Sequence, residues 1–219
     1  MRREVIGNCE LTHEDCMELM ARYPDKFFDL AIVDPPYGLD AENGTGRYSK
    51  AVVPKNKKWD KRPGKDYFNE LFRVAKQQII FGGNYFDLPT RRGWICWYKS
   101  DEMKGRCFSE FELAWTSFNI PARHFTQKPF IRKGERIHPT QKPVALYKWL
   151  LSKYAKPGQK ILDTHLGSGS CAIACYDMGF PLTACEIDEG YFADAIERLR
   201  LFDVGGTLNF GTQLNQEVV

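Results

Sequence analysis

Short apolar runs that end in polar residues or glycine alternate along this chain with segments of helical periodicity. Leu30–Val33 is such a run, and a second strand is predicted at Lys160–Leu162. Apolar runs of this length are typical of buried strands in a parallel sheet. Helical spacing at Tyr67–Ala75 and a helix stop at Gly179 indicate helices between the strands. The pattern predicts an α/β protein with a doubly wound, mostly parallel sheet.

The other elements follow from capping, turn and composition signals. Asp15, with an acidic residue three positions later, predicts a helix start between two strands in residues 1–38. Pro143 is a natural first residue for a later helix. Aromatic-rich strands are expected at Trp94–Tyr98 and Phe111–Phe118, and a further strand at Leu182–Cys185. We therefore expect alternating strands and helices at both ends of the chain.

The chain lacks a convincing internal linker, so we predict a single domain over residues 1–204. Residues 39–64 contain seven Lys and Arg against three Asp and Glu, and residues 121–142 contain six against one. Basic loops of this kind can hold the phosphates of DNA, although solvated surface loops have the same composition. We predict DNA-contact segments at 39–64 and 121–137. Residues 205–219 offer few core side chains, which predicts a poorly ordered tail.

The amino-acid composition indicates the cellular compartment of the protein but does not identify its binding partners. The net charge of the 219 residues is only +3, so the global charge identifies no ligand. The sequence shows no signal peptide and no apolar stretch of membrane-spanning length. Seven cysteines without a Cys-x-x-Cys pair predict reduced thiols in a cytoplasmic protein. Cys171 and Cys175 can share a helix face, but without nearby histidines we expect core packing and no metal site.

A glycine-rich segment follows the strand at Lys160–Leu162 and opens a helix. It comprises Asp163, Thr164, His165, Leu166, Gly167, Ser168, Gly169 and Ser170. Its glycines let a ligand approach the backbone, and the helix N-terminus offers N–H donors. Glu186, at the end of the next strand, can bind ribose hydroxyls, the alternative being a solvated strand end. These features predict a nucleoside-containing cofactor, and the missing third glycine favours one without pyrophosphate.

The run at Leu30–Val33 ends in Asp34-Pro35-Pro36-Tyr37. The prolines fix the backbone and remove N–H groups. The Asp34 carboxylate and the Pro35 carbonyl can then accept both hydrogens of one exocyclic amino group, and the Tyr37 ring can stack on a planar base. An ordinary turn that closes a strand is the alternative. The motif predicts a site that presents an amino group to an electrophile.

These motifs resemble those of a known family. Asp34–Tyr37 resembles the catalytic motif of S-adenosylmethionine-dependent amino-methyltransferases of DNA, and Asp163–Ser170 resembles their cofactor loop. His138–Pro143 is similar to the family's segment that contacts the methionine part of the cofactor. The catalytic motif comes first, which is the β-type order of the family. The resemblance covers roughly residues 14–200 and implies a Rossmann-like class I methyltransferase fold, circularly permuted.

The resemblance also implies roles for single residues. Catalytic roles fall to Asp34, Pro35, Pro36 and Tyr37. Cofactor-binding roles fall to Asp15, His138, Thr140, Gln141, Lys142, Asp163, His165, Gly167, Ser168, Gly169, Ser170 and Glu186. The family usually has Phe at the position of His165. An imidazole there can pack edge-on against the cofactor or be a core histidine with satisfied hydrogen bonds.

The implied reaction moves a methyl group from S-adenosylmethionine to adenine N6 of a base flipped out of double-stranded DNA. Asp at position 34 favours adenine over cytosine N4, which is the first alternative. A nucleic-acid-binding module with weakened catalysis is the alternative from another class, and only His165 supports it. The small size of the basic segments predicts a short recognition site. Analogy with the family adds two further expectations, a homodimer and a partner restriction nuclease.

Overall fold

A computed structural model describes residues 1–39, 60–101, 104–105, 109–128, 137–138 and 140–213, of which 205–213 by their backbone alone. The strands are β1 (Arg2–Ile6), β2 (Cys9–His13), β3 (Phe28–Val33), β4 (Ala75–Phe81), β5 (Trp94–Tyr98), β6 (Phe111–Thr116), β7 (Arg123–Thr126), β8 (Ile161–Asp163) and β9 (Leu182–Glu186). The helices are α1 (Cys16–Ala21), α2 (Lys65–Val74), α3 (Val144–Tyr154), α4 (Ser170–Met178) and α5 (Glu189–Gln213).

All of these strands form one sheet in the order β1-β2-β9-β8-β3-β4-β6-β5-β7. The five strands from β2 to β4 in this order are parallel to their neighbours, whereas β1 and β6 run antiparallel to the strands they pair with. The predicted doubly wound, mostly parallel sheet is confirmed.

Strand β3 lies at the centre of the sheet and is buried on both faces. Leu30 and Ile32 belong to a core that α3, α4 and α5 cover. Ala31 and Val33 belong to the opposite core, which is covered by α1 and α2. Burial on both faces explains why this strand is continuously apolar.

The pairing of β3 with β8 positions the functional segments. Leu30 pairs with Ile161 in parallel register. From these two central strands the chain winds outward in opposite directions, with β4 beside β3 and β9 beside β8. Ligands of doubly wound sheets bind at the carboxyl ends of the strands where the winding direction changes. The segments after Val33 and Asp163 both lie at this edge.

Several element boundaries differ from the sequence predictions. The single strand expected before α1 is a hairpin of β1 and β2. Strand β4 begins at Ala75, where helical spacing predicted the end of α2, and β7 lies in a segment predicted only as a basic loop. Pro143 is the N-cap of α3 and not its first helical residue.

Parts of several predicted segments lie outside the described residues. These are residues 40–59 of the first basic segment, residues 129–136 of the second, and residues 214–219 of the tail. The α5 backbone continues as helix to Gln213, past Gly205, where we predicted the tail to begin. Among the described residues, no helix combines the length and the apolar character that crossing a membrane requires.

Candidate active site

A cavity opens at the carboxyl ends of β3 and β8. Thirteen of the residues predicted from sequence line it: Asp34, Pro35, Pro36, Tyr37, His138, Thr140, Gln141, Lys142, His165, Gly167, Ser168, Ser170 and Glu186. Asp163 is buried beneath the lining and Gly169 lies behind it. Asp15 also lies outside the lining, where its carboxylate caps α1 by accepting a hydrogen bond from the Met17 N–H at 2.7 Å.

Asp34 follows β3 directly, and both of its carboxylate oxygens are hydrogen-bonded. The Tyr37 hydroxyl donates to Asp34 Oδ1 at 2.7 Å. The Lys142 ammonium donates to Asp34 Oδ2. Burial, together with the Asp34 charge, raises the pKa of Tyr37 well above its ordinary value, so the phenol stays a neutral donor. These hydrogen bonds fix the Asp34 carboxylate at the carboxyl end of β3.

The ring of Tyr37 is held against the segment that follows β4. Tyr85 stacks on it with ring centroids 5.1 Å apart, and Phe86 meets it edge-on at 6.2 Å. Gly82 has φ +66° at this contact, and a Cβ added there would lie 2.2 Å from Tyr37 Cε1. Glycine is required here both by the backbone conformation and by the close approach of the ring.

The described end of the first basic segment anchors the loop after Tyr37. The Asp60 carboxylate accepts the N–H groups of Gly38 and Leu39, each at 2.8 Å. Arg62 Nε donates to the Tyr37 carbonyl at 3.1 Å. Asp60 also lines the cavity, so the segment at 39–64 contributes to the site itself.

The glycine-rich loop connects β8 to α4 and is braced by two carboxylates. Asp163 Oδ1 accepts the His165 N–H at 3.1 Å, and Glu186 Oε2 accepts the Gly167 N–H at 2.9 Å. Gly167 and Gly169 have φ values of +52° and +72°, which glycine adopts without strain. The loop therefore turns tightly at the edge of the cavity and leads into the N-terminus of α4.

The site carries an excess of negative charge. Among the described lining residues, the carboxylates Asp34, Asp60, Glu112 and Glu186 outnumber the one ammonium, that of Lys142. Lys99 lies outside the lining and pairs with Glu112. Behind them, burial raises the pKa of Asp163 to about 7, with further contributions from the charges of Asp34 and Glu186. Burial likewise raises the pKa of Glu186. Such a site suits a cationic ligand such as a sulfonium and disfavours a phosphate.

His165 takes part in a row of polar side chains in this site. Its Nδ1 lies 2.9 Å from Thr164 Oγ1, which lies 2.7 Å from the Tyr67 hydroxyl. Burial lowers the pKa of His165 to about 4, so the ring is neutral. The ring packs edge-on against Tyr67 and also lines the cavity.

The residues just before α3 point in two directions: His138 and Gln141 pack locally, whereas Lys142 reaches Asp34. The His138 ring packs edge-on against Tyr191 at 4.3 Å, and its Nδ1 lies 3.1 Å from Thr140 Oγ1. Gln141 Oε1 accepts the Ile137 N–H at 3.0 Å. Lys142 turns the other way, towards the Asp34 carboxylate. The resemblance had implied a cofactor contact for it.

Sequence reasoning did not assign several lining residues. These are Leu39, Asp60, Glu112, Tyr147, Leu166, Ile187 and Tyr191. Ile187 could have been found from its position directly after Glu186, and the structure leaves its apolar side chain 65% exposed. Glu112 lies in a segment, Ser109–Glu112, that resembles one of the family's later and looser motifs, but the pairing of β6 with β4 is what brings it to the site.

The fold and the site together define the class of protein. About 87% of the chain superposes on 99% of the crystal structure of the M1.HpyAVI–SAM complex, with a TM-score of 0.55 and 22% identity. About 89% superposes on 91% of PvuII DNA methyltransferase, described as cytosine-N4-specific, with a TM-score of 0.55 and 12% identity. The chain therefore has the Rossmann-like fold of DNA methyltransferases.

The family follows from the sequence comparisons. Residues 55–197 match the model of the N6/N4 DNA methylase family, whose description is "DNA methylase". Type II methyltransferase M.HpaI of Haemophilus parainfluenzae is 22% identical over 234 residues, which cover 84% of this chain and 72% of that protein. The chain belongs to the N6/N4 DNA methylase family and is an S-adenosylmethionine-dependent DNA methyltransferase. The matched range holds the cofactor loop, whereas Asp34–Tyr37 precedes it.

Proposed function

We propose that this chain methylates adenine N6 in double-stranded DNA, on a base flipped out of the duplex. The observation that carries the proposal is the position of the Asp34 carboxylate, at the end of β3 and beside the loop that follows β8. Acceptor and donor segments thus share one cavity. The β-type motif order and the circular permutation belong to the same proposal.

Bound S-adenosylmethionine would supply an electrophilic methyl group, whose C–S bond breaks as the new N–C bond forms and the amine proton leaves to solvent. In this chain, the loop from His165 to Ser170 and the Glu186 carboxylate would hold the cofactor. The negative lining would favour its sulfonium and ammonium charges. Asp15 is a candidate to contact the adenine of the cofactor.

On the acceptor side, Asp34 Oδ1 would accept one hydrogen of the exocyclic amine and the Pro35 carbonyl the other. This turns the nitrogen lone pair towards the methyl group. The Tyr37 hydroxyl donates to Oδ1, and the second lone pair of that oxygen can accept the amine hydrogen. Tyr37 and its neighbour Tyr85 offer aromatic faces for the flipped base. Alignment of two reactants in this way accounts for most of the catalysis a methyltransferase needs.

Cytosine N4 is the second candidate acceptor. An exocyclic amine conjugated to a ring has the same geometry in both bases, and the PvuII enzyme with this fold is described as cytosine-N4-specific. Asp in place of Ser at position 34 favours adenine. The basic residues of 39–64 and 121–137 would contact DNA phosphates.

Incubation of the protein with S-adenosylmethionine and unmethylated duplex DNA, followed by nucleoside mass spectrometry, tests the proposal. N6-methyladenine is the expected product. N4-methylcytosine would select the second candidate. Cofactor binding in calorimetry without any methylated nucleoside in DNA or RNA would instead indicate a binding module with weakened catalysis.

A further inference from the structure

The ammonium of Lys142 is buried, with 2% of its side chain exposed. Nζ donates to Asp34 Oδ2, and it lies 3.3 Å from Glu112 Oε2 and 3.4 Å from the Tyr37 hydroxyl. An ammonium has three N–H donors. These three oxygens account for all of them, and none belongs to the cofactor loop.

Glu112 is in turn fixed from the far side. Lys99 Nζ lies 2.7 Å from Glu112 Oε1, so the two oxygens of Glu112 face two different ammonium groups. Lys99 follows β5, where its backbone N–H donates to the Glu110 carbonyl at 2.8 Å. Four groups of alternating charge thus run from the edge of β5 through β6 to the end of β3.

The charged groups of this four-residue network stabilise one another. Burial acts to lower the pKa of Lys142, but the carboxylates of Asp34 and Glu112 outweigh it and the pKa is raised. Burial acts to raise the pKa of Glu112, but Lys142 and Lys99 outweigh it and the pKa is lowered. For both Lys142 and Glu112, the neighbouring opposite charges therefore outweigh the cost of burial.

We propose that Lys142 is a positioning residue for the methyl acceptor, that Glu112 backed by Lys99 fixes it in place, and that neither side chain binds the cofactor. This inference rests on the proposed role of Asp34. Lys142 holds one carboxylate oxygen and thereby orients the other towards the amine. Its ammonium also pairs with the Asp34 carboxylate inside the cavity and holds it where it can stabilise positive charge developing on the attacked nitrogen.

Lys142→Met tests the inference through two separate readouts. The dissociation constant of S-adenosylmethionine, measured by calorimetry, should stay within about threefold of wild type, because no cofactor contact is lost. The single-turnover methylation rate at saturating cofactor should fall about 100-fold, as expected when a catalytic group is misplaced. Lys148→Met is the matched control, since Lys148 makes a half-exposed ion pair with Asp177 and should change neither value.

Glu112→Gln is the second variant, because it keeps the size and a hydrogen-bond acceptor while removing the charge. It should lower the rate on the order of tenfold with cofactor affinity unchanged. If Lys142→Met does not bind cofactor at all, the rate of Glu112→Gln decides, and a rate equal to wild type overturns the inference.

The inference is also overturned if Lys142→Met weakens cofactor affinity tenfold or more while its rate at saturating cofactor stays near wild type. A failure of the proposed function is recognised separately, because wild-type protein would then leave DNA unmethylated. The cofactor affinities would still show whether Lys142 contacts the cofactor.

Discussion

The buried charge of Asp163 should make the cofactor-free protein less stable at neutral and alkaline pH. Its pKa is raised from 3.8 to about 7, chiefly by burial. A carboxyl group with a raised folded-state pKa contributes stability that is fully present below its unfolded pKa and is lost as pH rises through the folded pKa. The loss therefore falls between about pH 4 and pH 7.

The size of the loss follows from the shift. Roughly three pKa units at about 1.4 kcal/mol each give at most about 4 kcal/mol. Asp163→Asn keeps the oxygen that accepts the His165 N–H at 3.1 Å but has no charge to bury. The variant should match wild type near pH 4 and exceed its free energy of unfolding by up to about 4 kcal/mol at pH 8.

Urea unfolding at pH 4 and pH 8, without cofactor and with a reductant for the thiols, measures both values. Asp177→Asn is the control, because its half-exposed ion pair should change stability by less than about 1 kcal/mol. A variant less stable than wild type at pH 8, or a difference that is the same at both pH values, would refute the reasoning. We also expect Asp163→Asn to bind S-adenosylmethionine more weakly, since a negative charge near a cationic ligand is lost.

The remaining predictions concern single contacts. Asp34→Ala should abolish methyl transfer while calorimetry still detects cofactor binding. Weakened cofactor binding with residual transfer would contradict this. Gly82→Ala places a Cβ 2.2 Å from Tyr37 Cε1 in a left-handed residue, which costs about 1–2 kcal/mol in backbone strain alone. It should slow transfer by displacing the ring, and an unchanged rate speaks against a role for the Tyr37 position. His165 should be neutral at pH 6, because burial lowers the pKa of its ring to about 4. A 15N correlation spectrum that shows an imidazolium would contradict this.

Sequence alone predicted the parallel sheet and the two strand ends that matter, because buried strands carry a continuous apolar signal. It placed Asp34 and the loop around Gly167 at one edge, since the carboxyl ends of neighbouring parallel strands meet there. The β1–β2 hairpin was missed although the two-residue turn Gly7-Asn8 signals it. Local sequence patterns were sufficient to predict those elements whose conformation depends on neighbouring residues in the sequence.

The contacts within the site could not be predicted in the same way. Lys142 is 108 positions from Asp34, and its partner Glu112 arrives by antiparallel pairing of β6 with β4. Such contacts depend on strand order and register, and no periodicity in the sequence encodes which distant charges meet. The motif match implied a cofactor contact for Lys142, and the fold shows its ammonium on the Asp34 carboxylate.

Methyl transfer to adenine N6 should depend on the Asp34 carboxylate. This dependence is tested by supplying S-adenosylmethionine with a deuterated methyl group to wild type and to Asp34→Asn on unmethylated duplex DNA. Mass spectrometry of the nucleosides identifies the product. We expect deuterated N6-methyladenine with wild type and none with the variant. Label on another nucleoside, or equal label with both proteins, would contradict it.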